Sequence, residues 1–143
     1  MGIWTVHVEA MAKQNSSFLT VVHTGEHIEL NVMSLAPRED VGTEVGRRVD
    51  QLIRVEQGTA RLTIGKNDEV VDETHDLSAG SAVFIPEGIW HNIVNVGQDE
   101  LKLFCIYSPP THPEGHVHRT KTDWLAEKRD MTRATAETGA FGA

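Results

Sequence analysis

Short segments rich in β-branched and aliphatic residues recur between residues 18 and 108, and turn residues separate each segment from the next. This arrangement is typical of β-strands joined by hairpins. The predicted strands are Phe18–Thr24, His27–Leu35, Gln51–Val55, Thr59–Ile64, Ser81–Ile85, Trp90–Val96 and Glu100–Ser108. Strands of this number and spacing predict an all-β sandwich or barrel.

The length of the chain predicts one domain with flanking segments. A chain of 143 residues can bury one sizeable core but hardly two. The predicted parts are an N-terminal arm at 1–17, a barrel at 18–110, a loop and short helix at 111–133, and a flexible tail at 134–143.

Two consecutive prolines, at 109–110, end the last predicted strand. The segment 111–118 that follows contains further turn-forming residues and is predicted to be a loop. Thr122 or Asp123 then offers an N-cap for a short helix over Trp124–Met131.

The composition excludes several classes of partner. A net charge of −8 argues against nucleic-acid binding, which requires Lys and Arg clustered on one face. The apolar runs are too short to cross a membrane, and no secretory signal pattern is present, so a cytoplasmic location is expected.

The single cysteine, Cys105, lies in an apolar run and is predicted to be a buried, inert strand residue.

One segment carries glycine, proline, histidine and asparagine at fixed positions. It reads Gly80-x5-Pro86-x-Gly88-x2-His91-x3-Asn95. Because side chains alternate along a strand, His91 points the same way as Ile93. If Ile93 faces the interior, His91 lies in a cavity beside the turn, where an imidazole can serve as a metal ligand or as a general acid or base.

This segment resembles the second conserved motif of the cupin superfamily at every fixed position. The first cupin motif runs from a glycine, through a His-x-His pair, to a glutamate six residues short of a closing glycine. Aligned on Gly58, the sequence has Glu44 and Gly46 at the two histidine positions and Gln51 at the glutamate position. The resemblance therefore implies a site formed by Glu44, Gln51 and His91, in which both first-motif histidines are replaced.

Three further segments are similar to a subgroup of small bacterial cupins, often labelled cupin-domain or mannose-6-phosphate-isomerase-like proteins. They lie at 50–58, 106–113 and 117–121. This resemblance implies a double-stranded β-helix, the cupin or jelly-roll barrel, with a short C-terminal helix. It also implies isomerase, lyase or oxygenase chemistry and a homodimer. The segment Ile3–Val8 could add an edge strand to a neighbouring subunit.

The site residues implied by the resemblance have several candidate roles. His91 and Glu44 are the candidate catalytic residues, and Glu44, Gln51 and His91 are the candidate ligands of a divalent metal such as Mn, Fe, Ni or Zn. Gln51, Arg47 and His118 are candidates for substrate binding. Arg47 belongs to a basic pair that could attract an anionic substrate.

Several histidines outside the two motifs could complete the site. The missing metal ligand could come from His23, His27, His75 or the 112–118 loop, and the sequence leaves this choice open. The histidines of that loop, including His118, are expected to be either solvated or part of a lid over the barrel mouth.

Three functions remain open from the sequence. The first is a metal-assisted enzyme acting on a small polar or sugar-like substrate. The second is a metal-free enzyme in which His91 moves protons and Glu44 or Gln51 orients the substrate, and the loss of both first-motif histidines favours it. The third is a small-molecule binding protein without turnover, because a fold alone does not determine chemistry.

Overall fold

Eleven strands and two helices form the part of the chain that the computed structural model describes, residues 2–127 and 141–142. In chain order these elements are α1 Val8–Gln14, β1 Leu19–Thr24, β2 Glu29–Leu35, β3 Val45–Gly46, β4 Asp50–Gln57, β5 Thr59–Gly65, β6 Glu73–Ser78, β7 Ala82–Ile85, β8 Trp90–Asn95, β9 Leu101–Ser108, β10 Val117–His118, α2 at 121–127 and β11 Phe141–Gly142.

The strands form two main antiparallel sheets that share one core. The larger sheet has the order β10-β1-β2-β9-β4-β7, and the smaller has the order β6-β5-β8. Ile53 and Val55 of β4 pack in the same hydrophobic cluster as Leu62 of β5 and Ile93 of β8. The all-β prediction is therefore confirmed.

The chain between β2 and β3 closes the edge of the smaller sheet at β8. Asp40 and Glu44 form isolated antiparallel bridges with Val94 and His91 of β8. The amide of Val41 also donates to the carbonyl of Ile93 at 3.0 Å. These contacts place residues 40–44 directly against the strand that carries His91.

Side-chain alternation places the polar motif residues among core residues, as predicted. On β4, Gln51 is 2% exposed and shares the inward face with Ile53 and Val55. On β8, His91 is 3% exposed and shares the inward face with Ile93. The period of two that defines a strand is thus sufficient to direct both polar side chains inward.

Strand β6 is absent from the sequence prediction for a physical reason. It is an edge strand, and of its side chains only that of Leu77 is buried. A strand with one buried side chain shows no hydrophobic alternation, so its pairing with β5 gives no signal in the sequence.

The predicted edge strand at Ile3–Val8, which would pair with a neighbouring subunit, is wrong at Val8 and stays a prediction for residues 3–7. Residues 3–7 form no strand, and Val8 begins α1. The Nδ1 atom of His7 caps this helix by accepting from the amide of Ala10 at 3.1 Å. Ala12 is fully buried in a cluster with Val32 of β2 and Phe104 of β9, so α1 packs on the outside of the larger sheet.

The C-terminal elements also differ from the prediction. Val117–His118 forms β10 against β1, so the prediction of a loop throughout 111–118 is wrong at these two residues. The helix begins at residue 121, and its N-cap is Thr120, whose hydroxyl accepts from the amide of Asp123 at 3.2 Å. The proposed caps Thr122 and Asp123 are therefore wrong.

Parts of the predicted helix and tail lie outside the described residues. These parts are residues 128–131 of the helix and most of the predicted flexible tail at 134–143. Within that tail, Phe141–Gly142 pairs with Val45–Gly46 of β3, which the sequence did not predict. Neither described helix has the length and the apolar run needed to cross a bilayer.

Candidate functional site

Glu44 and His91 lie directly opposite each other and face the interior. The amide of Glu44 donates to the carbonyl of His91 at 2.9 Å, and the amide of His91 donates to the carbonyl of Glu44 at 3.0 Å. Residues paired in this way have Cα atoms about 5.5 Å apart and side chains on the same face. Glu44 is 5% exposed, so the barrel holds its carboxyl group beside the imidazole.

One small cavity brings the three predicted residues together. Its volume is about 10 Å³, which is room for roughly one water molecule. The lining residues are Met33, Val41, Gly42, Glu44, Gln51, Ile53, His91, Asn92, Ile93, Leu103, Cys105 and Tyr107. Three polar side chains remote in sequence therefore meet at one point in a mostly apolar wall.

Two of these side chains present unpaired acceptor atoms. The Nδ1 atom of His91 lies 2.8 Å from the carbonyl oxygen of Ile89, and because a carbonyl only accepts, Nδ1 carries the hydrogen. In the neutral imidazole, the Nε2 atom of His91 then carries a lone pair and no hydrogen. It is buried without a hydrogen-bond partner among the described residues, as is Oε1 of Gln51. Leaving such atoms unpaired costs about 1–3 kcal/mol each.

The donor set fits a divalent metal ion. The two unpaired atoms are a nitrogen and an oxygen, and the adjacent Glu44 supplies a carboxylate. Imidazole and oxygen ligands suit first-row transition metals, and a ligating histidine commonly donates its other ring N–H to a carbonyl, as His91 does to Ile89. The residues present could therefore hold such an ion.

Gly46 makes room for the amide of Gln51. A Cβ atom at position 46 would lie 3.3 Å from Nε2 of Gln51 and 3.3 Å from the carbonyl oxygen of Val49. A histidine at this position would crowd the glutamine. The two departures from the first cupin motif, glycine at 46 and glutamine at 51, are therefore sterically linked.

Tyr107 and Cys105 of β9 also line the cavity, and Tyr107 is a site residue that the sequence did not predict. Tyr107 lies opposite Gln51 in the β4–β9 register. Burial, together with the nearby charges of Glu44 and Glu29, raises the pKa of Tyr107, so its hydroxyl stays protonated. Alternation of Leu103, Cys105 and Tyr107 along β9 is the signal that could have found it.

Cys105 is buried, as predicted. It is 2% exposed and has no disulfide partner. Burial, with the charges of Glu29 and Glu44, raises the pKa of the thiol. A thiol of this kind is a poor nucleophile at neutral pH.

The structure does not bring every candidate residue to the cavity. Arg47 is exposed on the segment between β3 and β4, and His118 is buried on β10, but neither lines the cavity. The other candidate ligands also lie elsewhere. His23 stacks on Trp4 at 4.3 Å, and His27 and His75 are exposed beside Glu26 and Glu73.

The 112–118 segment is held against the barrel by buried hydrogen bonds between Glu29 and His112. Glu29 is fully buried, and its carboxylate accepts from the amide of His112 at 2.8 Å and contacts Nδ1 of His112 at 2.9 Å. Burial alone would raise the pKa of Glu29, but hydrogen bonds from His112, Asn31 and Thr111 together lower it. His112 and His118 are therefore packed side chains, and the expectation of solvated histidines is wrong for these two.

Comparison with known proteins gives matches over most of the chain. The family described as "Cupin domain" matches residues 31–107, which is more than half of the chain. YrkC of Bacillus subtilis (strain 168) is 41% identical over 123 residues, which are 86% of this chain and 66% of YrkC. L612 of Acanthamoeba polyphaga mimivirus is 40% identical over 116 residues, which are 80% of this chain and 71% of L612.

A solved structure agrees with the architecture. The crystal structure of BH2720 from Bacillus halodurans has 36% sequence identity and a TM-score of 0.84, and the match covers 86% of this chain and 93% of that one. The predicted double-stranded β-helix with a short C-terminal helix is confirmed. The present chain has the same barrel and carries the second motif around His91. Together with these matches, this shows that the chain belongs to the cupin domain family.

Proposed function

We propose that the barrel binds a divalent metal ion through His91, Gln51 and Glu44, and that a small polar or sugar-like substrate reaches the same site for isomerase, lyase or oxygenase chemistry. The observation that carries the proposal is the pair of unpaired buried acceptors, Nε2 of His91 and Oε1 of Gln51, facing one cavity. Both atoms offer lone pairs, so the ligand they require is a cation or a hydrogen-bond donor.

The side chains around the cavity have separable tasks in this proposal. The Ile89 carbonyl fixes the ring of His91 in the tautomer with a free Nε2 lone pair. Tyr107 presents a protonated hydroxyl that can donate to a substrate oxygen. A bound divalent metal would supply a Lewis acid that polarises such an oxygen. Because the cavity has room for about one water molecule, we expect the substrate to place a single polar group in it.

The test is metal binding by the full chain after chelator treatment. Glu44→Gln and His91→Asn are expected to lower the affinity of the barrel site for Mn²⁺, Ni²⁺ or Zn²⁺ by about tenfold or more, because the first replaces an anionic carboxylate with a neutral amide and the second removes the imidazole nitrogen. Titration calorimetry measures the affinity. Glu73→Gln and His75→Asn are the matched controls, because this exposed pair on β6 has its atoms 3.1 Å apart but lines no part of the cavity.

Metal binding that is unchanged in both barrel variants would contradict the assigned ligands. Circular dichroism of each metal-free variant separates loss of a ligand from loss of the fold. Substrate turnover is tested separately, since a protein that binds small aldoses or keto acids tightly without converting them would be a binding protein.

A second candidate function is metal-free acid–base catalysis. The observation that favours it is the presence in one cavity of a proton acceptor, Nε2 of His91, and a hydrogen-bond donor, the protonated hydroxyl of Tyr107. Chelator-treated protein would then exchange substrate protons with D2O, as followed by NMR. His91→Asn and Tyr107→Phe are expected to abolish the exchange, whereas exchange that requires added metal would exclude this candidate.

A further inference from the structure

A second cluster of metal-ligating side chains lies where β10 meets α2. It consists of His116, His118 and Glu127, and one ligand atom from each residue lies within 4.8 Å of those of the other two. The Oε2 atom of Glu127 contacts Nε2 of both histidines, and its distance to Nε2 of His118 is 3.1 Å. None of the three residues lines the barrel cavity, so this cluster is separate from the site described above.

Backbone pairing orients the two histidines. His116 and His118 are two residues apart in extended chain, which places their side chains on the same side. Val117 between them is 46% exposed and points the other way. His118 lies opposite Leu19 of β1, and the carbonyl of His116 accepts from the amide of Val21 at 2.8 Å. Both imidazoles are therefore fixed against the larger sheet.

A buried tryptophan brings the carboxylate to the histidines. Trp124 is 4% exposed, and its Nε1 donates to the carbonyl oxygen of Val41 at 3.0 Å. Its ring centroid lies 5.7 Å from that of His118. Glu127 follows three residues later on α2, so it lies on the same helix face as Trp124. Anchoring the tryptophan thus holds the Glu127 carboxylate next to His118.

The most informative atom of the cluster is Nε2 of His118. The side chain is 4% exposed, and although Nε2 lies 3.1 Å from the carboxylate, it makes no hydrogen bond with any described residue. A tetrahedral zinc ion with bonds of 2.0–2.1 Å separates its ligand atoms by roughly 3.3 Å. The distance between Nε2 of His118 and Oε2 of Glu127 is close to this value, and all three ligand atoms lie within 4.8 Å of one another. Two imidazole nitrogens and one carboxylate oxygen form a three-ligand set that leaves a fourth position open.

We propose that His116, His118 and Glu127 bind a divalent transition-metal ion of the zinc class, which links helix α2 to the larger sheet. The side chain of His116 is 30% exposed and that of Glu127 is 24% exposed, which gives the ion a route from solvent. The inference is independent of the proposed barrel function, because it involves no residue of the barrel cavity.

The experiment uses the full, untagged chain after chelator treatment, titrated with Zn²⁺ by calorimetry and with Co²⁺ by visible absorption. Wild-type protein is expected to show the intense absorption of tetrahedral Co²⁺. Glu127→Gln and His116→Asn should each weaken Zn²⁺ binding at this site by about tenfold or more and remove that absorption. Asp123→Asn is the matched control, because it removes an exposed carboxylate from the same helix.

Each outcome decides the inference. Zinc affinity and Co²⁺ absorption that survive Glu127→Gln and His116→Asn would overturn it, as would an equal loss in Asp123→Asn. The double variant Glu44→Gln/His91→Asn should retain one Zn²⁺ with the Co²⁺ absorption, and complete loss of binding there would also overturn it. If only the barrel proposal fails, the barrel variants leave metal binding unchanged, whereas Glu127→Gln and His116→Asn still weaken it. Circular dichroism of the metal-free variants checks that each is folded.

Discussion

At the scale of single residues, Gln51 lowers the free energy of unfolding of the metal-free protein and also belongs to the proposed site. Its Oε1 atom is buried without a hydrogen-bond partner among the described residues, whereas its neighbours on the inward face of β4, Ile53 and Val55, are apolar. Side chains that lower folding stability are common at sites where a protein binds a ligand.

Gln51→Met is expected to stabilise the metal-free protein while weakening metal binding in the barrel. Methionine has a similar length and carries no amide to leave unpaired, so we expect a gain of about 1 kcal/mol in the free energy of unfolding. For a chain of this size the melting temperature would rise by roughly 2–4 °C, measured by calorimetry. Gln57→Met is the control, because Nε2 of Gln57 already donates to the carbonyl of Glu100 at 3.2 Å. A lower melting temperature for Gln51→Met would contradict the interpretation.

The residues of the barrel site differ in how readily the sequence revealed them. His91 and Gln51 were found because each alternates with apolar residues on a strand and occupies a motif position. Tyr107 was missed because its alternation with Leu103 and Cys105 indicates an inward-facing side chain but does not distinguish a site residue from a core residue. The β4–β9 register is what places it opposite Gln51. Register between strands remote in sequence cannot be read from one chain.

At the scale of secondary-structure elements, Glu29 joins β2 to the segment that leads into β10. Its carboxylate accepts from the amides of Thr111 and His112 at 3.0 and 2.8 Å, and from the side chain of Asn31 at 2.8 Å. Side-chain hydrogen bonds from one buried carboxylate therefore connect these two elements.

The Glu29 carboxylate is expected to make stability depend on pH in the acid range. Because its folded-state pKa is lowered below the ordinary value of 4.5, it contributes stability above that value, and this contribution is lost as pH falls through the folded-state pKa. The difference in unfolding free energy between wild type and Glu29→Gln should therefore be constant near neutrality and shrink below about pH 4.5. Urea unfolding at several pH values measures it. Glu26→Gln, at an exposed turn, is the control, and a difference that does not vary with pH would contradict the prediction.

Three of the strands that the sequence missed share one physical property. Strands β3 and β10 are two residues long, and β6 buries only Leu77, so none has enough alternation to be recognised. The cluster of His116, His118 and Glu127 was missed for a related reason. It depends on the docking of α2 through Trp124, which is a tertiary contact and leaves no local pattern.

At the scale of the whole molecule, an open sheet edge favours self-association. Within residues 2–127 and 141–142, strand β7 is the last strand of the larger sheet, and Phe84 on it is 63% exposed. An exposed edge strand with an aromatic side chain is a surface that another chain can cover. This surface is a second candidate for the homodimer contact, beside the segment Ile3–Val8.

We expect the chain to sediment as a homodimer, with Phe84→Glu shifting it to the monomer. A charge at the edge would oppose pairing of two β7 strands. Val71→Glu is the control, because Val71 is 61% exposed but lies outside any described strand. Analytical ultracentrifugation at micromolar concentration measures the mass. A monomeric wild-type protein, or a dimer that tolerates Phe84→Glu, would contradict the prediction.

The buried position of Cys105 gives the molecule an internal reporter of barrel opening. It is the one cysteine in the chain, and its side chain lies in the wall of the cavity that holds His91 and Gln51. A thiol reagent can reach it only when the two sheets separate transiently, so the rate of labelling measures the free energy of that opening under native conditions. A ligand bound in the barrel should slow this labelling reaction. Alkylation rates can therefore be used to screen for ligands before the reaction that the protein catalyses is known.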